Sequence, residues 1–284
     1  METLFRDFRY GARLLSKNPV FTAVAVISLA LGIGANTAVF SVINGVLLKS
    51  LPFKDPESLV LVWGDARDQD RLRGRNQLSA TDVADFRSQT TTLEEISPYM
   101  GWNPIMSGAS EAERVPAIQV GDAFFQVMRG TPMLGRVFTP EEQEEGKDFV
   151  IVLGHQLWQR RFNSDVSIVG KSVLLNSRAY TIVGVMGPDF HPLPPGLVFP
   201  QGQFYRPIAE TYNNEERSSR HVRAVARLKP GVTIDQARVD IATIASRLEQ
   251  EHPTTNKNQG ANVVSITDDT VGGLKRTLWL VFGA

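Results

Sequence analysis

Between Lys17 and Lys49 the chain runs for 31 residues without a charge. The window from Phe21 to Phe40 holds 14 apolar residues and no ionisable one. Coiled as a helix, 31 residues reach about 46 Å at roughly 1.5 Å per residue. A bilayer's hydrocarbon core is only about 30 Å thick, and a backbone inside it must bond to itself, so a spanning helix over 19–48 is the reading the run favours. Two others compete. Val20 to Ile33 has the length of a signal-peptide apolar region, followed by small residues at Gly34, Ala35 and Ala38; against it, apolar character resumes through Val39, Phe40, Val42, Ile43, Val46 and Leu47. A buried core helix is the third.

The flanks give a direction. Arg6, Arg9, Arg13 and Lys17 crowd the short segment ahead of the run, which places the N-terminus in the cytoplasm and the chain beyond Lys49 outside. Leu4, Phe5, Phe8, Ala12 and Leu15 recur at helical spacing, with the basic residues largely elsewhere. Residues 1–18 therefore read as an amphipathic helix lying in the headgroup layer, anchored by Arg6, Arg9, Arg13 and Lys17, until Asn18-Pro19 breaks it. Within the run, Ala30, Gly34 and Ala38 recur every fourth residue and form a flat stripe for a neighbouring helix, with Asn36 beside it as a polar contact.

Thirty acidic and thirty basic residues leave no net charge, which excludes a strongly basic nucleic-acid binder. No cysteine is present, so no disulfide framework, thiol nucleophile or cysteine metal site can be built. Beyond Lys49 the pattern becomes that of a folded α+β module. Ser58 to Trp63 reads as a strand, Gly64 to Gly74 as a loop, and Ser79 to about Thr90 as a capped helix. Val115 to Val120 and Phe149 to Leu153 read as strands, and His155 to Phe162 as a short helix. Ser172 to Met186 reads as a hairpin with Asn176-Ser177-Arg178 at its turn. Pro188 to Pro200 reads as loop. Val222 to Leu228 reads as a strand, Lys229-Pro230-Gly231 as a turn, and Thr233 to Gln236 as a capping box opening a helix that ends before Pro253. Asn262 to Ile266 follows as a strand. Two strand–helix–strand units thus flank a strand-rich middle. Thr277 to Ala284 is uncharged after Lys275-Arg276 and reads as the start of a second span, so the sequence is expected to be an N-terminal fragment.

Motifs of chemistry fail on inspection. Gly130 to Val137 has phosphate-loop glycine spacing, but Arg136 and Val137 replace the lysine and the hydroxyl. Gly170-Lys171-Ser172 has the other half, with Asp165 in place of the first glycine. His155, His191, His221 and His252 are far apart in sequence. The acids Glu141, Glu142, Glu144 and Glu145 read as a solvated helix start, Asp268-Asp269 as a weak cation candidate. Arg217, Arg220, Arg223 and Arg227 read as a solvated strand face and loop, with an acidic partner as the alternative. No nucleophile–base set emerges, so no catalytic, cofactor or metal residue is assigned.

Leu4 to Arg13, Asn18 to Thr22 and Ala30 to Ser41 resemble the N-terminus of MacB/FtsX-like permeases, in their duplicated orphan branch. Leu51-Pro52-Phe53, Val62-Trp63, Gly135 to Phe138, Asp148 to Trp158 and Ile168 to Lys171 are similar to that family's periplasmic core domain. The resemblance implies an α+β fold: an N-terminal amphipathic helix (1–18) and transmembrane helix (19–48) followed by a periplasmic domain over 51–273. That domain would have porter-like β-α-β units at about 57–108 and 220–268, a β-rich insertion at about 110–215, and a second span opening at 277–284. It further implies a non-catalytic permease subunit of the bacterial inner membrane, working with a cytoplasmic ATP-binding subunit, in contact with membrane lipid, a second permease copy or homodimer and a periplasmic partner, and with no nucleic acid. ATP-driven changes would move the periplasmic part, the coupling called mechanotransmission, and family substrates range over macrolides, peptides and lipoproteins. A signal-anchored or secreted periplasmic binding module is the competing expectation.

Overall fold

The structure is a computed structural model that describes residues 6, 9–10, 13, 15–43, 53–68, 74–108, 111–191, 193, 202–209 and 217–270. They form two compact units, one within Met1–Ser50 and one within Leu51–Gly273.

In the first unit, α1 spans Pro19–Ile43, about 37 Å of helix. Asn18 interrupts the helical residues before it. Its carbonyl accepts from the Thr22 amide at 3.0 Å, opening α1 with Pro19 at the first helical position, where the missing N–H costs nothing. The Thr22 hydroxyl reaches back to the Leu15 carbonyl at 2.7 Å. The side chains at 35, 36 and 38–43 fall outside the described ones, and among the described residues no helix is long and apolar enough to cross a membrane.

The second unit is built on one sheet. Its strands are β1 (Leu59–Ala66), β2 (Leu93–Trp102), β3 (Ile105–Ser107), β4 (Glu113–Arg114), β5 (Ala117–Val120), β6 (Pro132–Gly135), β7 (Val150–Leu153), β8 (Ser172–Leu175), β9 (Arg178–Met186), β10 (Phe204–Pro207), β11 (Arg223–Leu228) and β12 (Gln259–Ser265). The helices are α2 (Ala80–Gln89), α3 (Phe124–Val127), α4 (His155–Phe162) and α5 (Ile234–Glu251). Strand order is β12-β1-β11-β2-β5-β10-β7-β9-β8-β3-β4, with β6 on β9.

The two strand–helix–strand units interleave instead of standing apart. β1 pairs antiparallel with both β11 and β12, and β2 antiparallel with β11. So α2 carries the chain from β1 over β11 to β2, and α5 from β11 over β1 to β12. This is the split β-α-β arrangement of ferredoxin-like folds. β1 explains itself in sequence. Val60 and Val62 pack under the helices, while Leu59, Leu61 and Trp63 fill a second core on the opposite face. A strand buried on both faces reads as a continuous apolar run. Both helices start where expected: the Ser79 hydroxyl accepts from the Asp82 amide at 3.0 Å, and Thr233 and Gln236 cap each other reciprocally.

β2 leads into the insertion. Its first part pairs with β11 and its last four residues with β5. β3, at the other end of the insertion's strands, begins three residues after β2 ends, which allows at most about 11 Å between them. The insertion's strands therefore roll around their own core of Ile151, Leu153, Tyr180, Ile182 and Phe204.

Several boundaries differ from expectation. The last strand is Gln259–Ser265, not 262–266, because Asp65 and Ala66 extend β1 and draw Gly260 and Gln259 into register. The expected loop at Gly64 begins later for the same reason. β3, β4, β6 and β10 are additional strands. The hairpin turn is Asn176-Ser177, since Arg178 already pairs with Leu175. Both turn residues have positive φ, 47° and 67°, the conformation of a two-residue hairpin. Ser177 has nothing to offset that conformation, so Ser177→Gly is expected to raise stability by about 0.5–1 kcal/mol in urea melts. Asn176→Gly should not, because the Asn176 side-chain oxygen accepts from the Ile105 amide at 2.9 Å and holds β3 to the turn.

Candidate functional site

The chain enters the second unit at Phe53 to Ser58, and one buried residue holds that segment in place. On β11, alternation sends Arg223, Val225 and Arg227 to the face opposite α2 and α5. Arg227 is only 2% exposed. Its Nε donates to the Val127 carbonyl at the end of α3, at 2.8 Å. One terminal nitrogen donates to the Asp55 carbonyl at 3.2 Å and to the Ser58 hydroxyl, the other to the Lys54 carbonyl at 3.2 Å. All four bonds end on uncharged oxygens. Burial, with the nearby Arg129, pulls this guanidinium below its ordinary value, yet an arginine stays protonated at any physiological pH.

A second layer of bonds closes the same junction. Arg129 pairs with the Asp55 carboxylate, and the Lys54 ammonium donates to the Arg129 carbonyl at 3.2 Å. Asp55 and Arg129 both sit at positive φ, 47° and 50°, so the two tight turns face each other through these contacts. The leading segment, the end of α3 and β11 are thus sewn together by a planar five-donor fork.

Further charged clasps join the layers. Asp82 on α2 is 2% exposed and accepts from Arg217 at 2.8 Å, Arg220 at 2.7 Å and Asn256 at 3.0 Å. Arg217 also pairs with Asp85 at 2.6 Å. In the insertion Arg206 and Asp148 form a buried pair at 2.5 Å, with the guanidinium 4.9 Å from the Trp102 ring centroid and 5.6 Å from that of Tyr180. Asp269, in the helical turn over 266–270, pairs with Arg75 at 2.9 Å. These contacts correct the expectation of a solvated arginine face. Arg217 and Arg220 are committed to Asp82, Arg223 lies 5.5 Å from the Trp63 ring centroid, and Arg227 is core. For Arg223 and Arg227 the reason is that the insertion covers a face which a lone sheet would leave wet, and for Arg217 and Arg220 it is that the segment ahead of β11 passes the buried carboxylate on α2.

Asp240 on α5 ties the two β-α-β units through the turn before β2. Its carboxylate accepts from the Thr90, Thr91 and Thr92 hydroxyls and from the Thr91 and Thr92 amides, at 2.7–3.3 Å. Burial pushes its pKa up, but the bonds from Thr92 and Thr90 outweigh it and leave the carboxyl below its ordinary value. A depressed folded pKa stabilises above the unfolded value of about 3.9 and is lost as pH falls through the folded value. Asp240→Asn should therefore cost about 1–2 kcal/mol at pH 7, and the gap to the parent chain should shrink in denaturant melts as pH falls below the unfolded value of about 3.9.

The remaining sequence candidates fall as follows. Arg6, Arg9, Arg13 and Lys17 are exposed on helical backbone, and Ala30 and Gly34 are exposed on α1. Asn36 and Ala38 belong to α1, but their side chains lie outside the described ones, as do residues 271–284. Gly130 to Val137 forms no phosphate nest: residues 132–135 are strand, and Arg136 is held by Glu142 at 2.7 Å. Lys171 pairs with Asp165 at 2.5 Å. His155 opens α4, its ring 5.5 Å from that of Trp158 and tilted 56° to it. Glu142 closes a capping box with Thr139 over the short turn Pro140–Gln143. Among the described residues no three His, Asp or Glu side chains are grouped to hold a metal ion. Arg227 is the residue that sequence reasoning placed wrongly. Its one signal was an arginine within the alternating apolar strand Val222 to Leu228.

Similarity to known proteins agrees with this architecture. The MacB-like periplasmic core domain matches residues 22–244. The macrolide export ATP-binding/permease protein MacB of Bdellovibrio bacteriovorus is 22% identical over 189 residues, which are 64% of this chain and 29% of that protein. The chain thus spans under a third of that relative's length. The periplasmic region of MacB from Actinobacillus actinomycetemcomitans superposes with a TM-score of 0.56 at 16% identity, over 82% of this chain and 97% of that one. A permease domain from Porphyromonas gingivalis gives 0.56 at 16% identity, over 75% and 92%. The extracellular domain of the noncanonic ABC-type transporter YknZ from Gram-positive bacteria gives 0.53 at 12%, over 72% and 99%. At such identities these structures establish a shared fold. With the family match covering most of the sequence, the chain belongs to the family of the MacB-like periplasmic core domain, within the MacB/FtsX-like permeases.

Proposed function

We propose that the chain is part of a permease subunit of an ABC-type efflux or mechanotransmission transporter. In this reading α1, continued to about residue 48, spans the inner membrane, residues 1–18 lie on its cytoplasmic face, and 51–273 form the periplasmic domain. The observation that carries it is the uncharged run of 31 residues, most of which falls inside the match to the MacB-like periplasmic core domain that begins at residue 22. Val20, Phe21, Leu29, Leu31 and Ile33 are 64–77% exposed on α1. So much bare apolar surface calls for lipid or another helix as its surroundings. The basic set Arg6, Arg9, Arg13 and Lys17 anchors the cytoplasmic side, and the Ala30, Gly34, Ala38 stripe with Asn36 packs against a neighbouring span or a second copy.

ATP hydrolysis belongs, in this reading, to a separate cytoplasmic subunit. The present chain passes the resulting motion to the periplasmic domain. The Arg227 junction supports that role: the segment arriving from the span is bonded to β11 and, through Val127 and Arg129, to the insertion. Motion of the span would then reach both parts as one body.

Fractionation of cells expressing the chain tests the anchor. The product should resist carbonate extraction from the inner membrane and keep its full mass. A soluble product shortened near Ala35 to Ala38 would instead establish the signal-anchored alternative.

A further inference from the structure

Beside the Arg227 junction lies a pocket of about 140 Å³. Three segments build it: Phe53 and Lys54 from the leading segment, the turn after α3 with Arg129, and the stretch after β9 with Asp189, Phe190 and His191. Its floor is aromatic and fixed. Phe190 packs against Phe125 at 5.8 Å and Tyr205 at 5.6 Å, and a Cβ on Gly130 would come within 2.4 Å of the Phe190 ring, so only glycine lets that ring sit there. The volume is below the roughly 300–1,000 Å³ of sites for drug-sized ligands and suits a few heavy atoms.

The rim carries both signs of charge. Lys54 and Arg129 are cationic, Asp189 is anionic, and Asp55 already neutralises part of Arg129. A bare phosphate would meet Asp189 as well as the cations. A phosphodiester carrying a primary amine meets each group with its opposite, and its ammonium keeps N–H donors for the carboxylate.

We propose that this pocket binds the phosphoethanolamine headgroup of a membrane phospholipid. The phosphate lies against Lys54 and Arg129, the ammonium against Asp189, and the glycerol end over Phe53. The choice of a lipid as the source rests on the membrane reading above, which puts Phe53 and Lys54 a few residues beyond the span. A headgroup seated here would hold the junction at the membrane surface.

The test is a calorimetric titration of the full chain in detergent micelles. The probes are dihexanoyl phosphatidylethanolamine, phosphatidylglycerol and phosphatidylcholine of the same chain length, free phosphoethanolamine, and inorganic phosphate. The ethanolamine lipid should bind about tenfold more tightly than the other two lipids, and inorganic phosphate more weakly still. Lys54→Ser should weaken it about tenfold. Asp189→Asn, an exposed change that leaves the fold intact by circular dichroism, should abolish the preference for ethanolamine over glycerol headgroups while binding persists. Equal binding of all three lipids by the parent chain overturns the proposal, and so does an unchanged preference in Asp189→Asn. Free phosphoethanolamine binding alone, without the lipid, overturns the lipid as source. Partitioning into pure phosphatidylcholine vesicles reads the anchor separately, so a failed anchor and a failed pocket give different results.

Discussion

Arg227→Met should lower the stability of the MacB-like core domain by about 3 kcal/mol, because methionine fills the space but leaves the Val127, Asp55 and Lys54 carbonyls without their shared donor. Part of that cost is relieved where the Lys54 and Asp55 carbonyls can turn to water, which keeps the figure well below the sum of four bonds. For a domain of this size the melting temperature should fall by roughly 6–12 °C. The loss is also local. Hydrogen exchange should quicken first over 53–58 and 124–130, while α5 and β12 keep their protection. Arg227→Lys separates charge from geometry. It keeps the cation but has no planar fork to reach three segments at once, so it should recover less than half of the loss. Full recovery by lysine would mean that charge alone holds the junction. In a reconstituted transporter, the proposed function adds a second expectation. The methionine variant should retain ATP hydrolysis but lose transport, since the span could move without carrying the insertion. A variant that hydrolyses and transports as the parent does would remove Arg227 from the coupling path.

How much of this was open to sequence reading depends on where each signal lives. α5 and α4 were legible because their determinants are local: Thr233 to Gln236 closes a capping box within four residues, and Ile241, Ile244 and Leu248 repeat at helical spacing. β1 was legible because burial on both faces makes it apolar throughout. The uncharged run was legible as a helix, Pro19–Ile43, because its residues form one long segment with proline only at its start. β10 was not, since Phe204-Tyr205-Arg206-Pro207 contains an arginine and a proline. It becomes a strand only by lying between β5 and β7, and its Arg206 is tolerated only because Asp148, distant in sequence, meets it. β6 hid for a related reason, with Pro132 and Gly135 at its ends reading as turn residues. The interleaving of the two β-α-β units could not be read from either unit alone. Either order of four strands satisfies the same alternation, and the choice is made by pairing across more than 120 residues. Arg227 belongs to this class. Its bonded partners lie at Lys54, Asp55, Ser58 and Val127, so nothing near it in sequence distinguishes a buried clasp from a solvated strand arginine.

The Asp82 hub tests the same idea with a different imbalance. Here the charges match in the native state, with Arg217 and Arg220 on opposite oxygens of one buried carboxylate and Asn256 sharing one of them. Asp82→Asn keeps the shape and removes the charge. It leaves two arginines, 17% and 12% exposed, facing a neutral amide that can itself donate toward them. Removing one member of a buried ionic set costs up to about 3–5 kcal/mol. Asp85 still compensates Arg217, so the lower end, about 3 kcal/mol, is expected. Arg220→Met alone should cost less, because Asp82 keeps Arg217 and Asn256. The double variant Asp82→Asn with Arg220→Met should then be markedly less destabilised than the two single effects added together, by about 1–2 kcal/mol, since the second change removes the charge that the first left stranded. Urea melts of the four proteins give the coupling directly. Strict additivity would mean that Arg220 is already satisfied by solvent and by the Thr255 and Asn256 oxygens, and that Asp82 acts through Arg217 alone. The hub also predicts where loosening appears. Asp82 joins α2 to the residues just ahead of β11 and to the turn after α5, so Asp82→Asn should speed exchange in 217–222 and 252–258. The Arg227 junction, on the opposite face of the sheet, should stay closed. Two clasps that fail separately would show that the ferredoxin-like half is held to its helices and to the leading segment Phe53 to Ser58 by independent means.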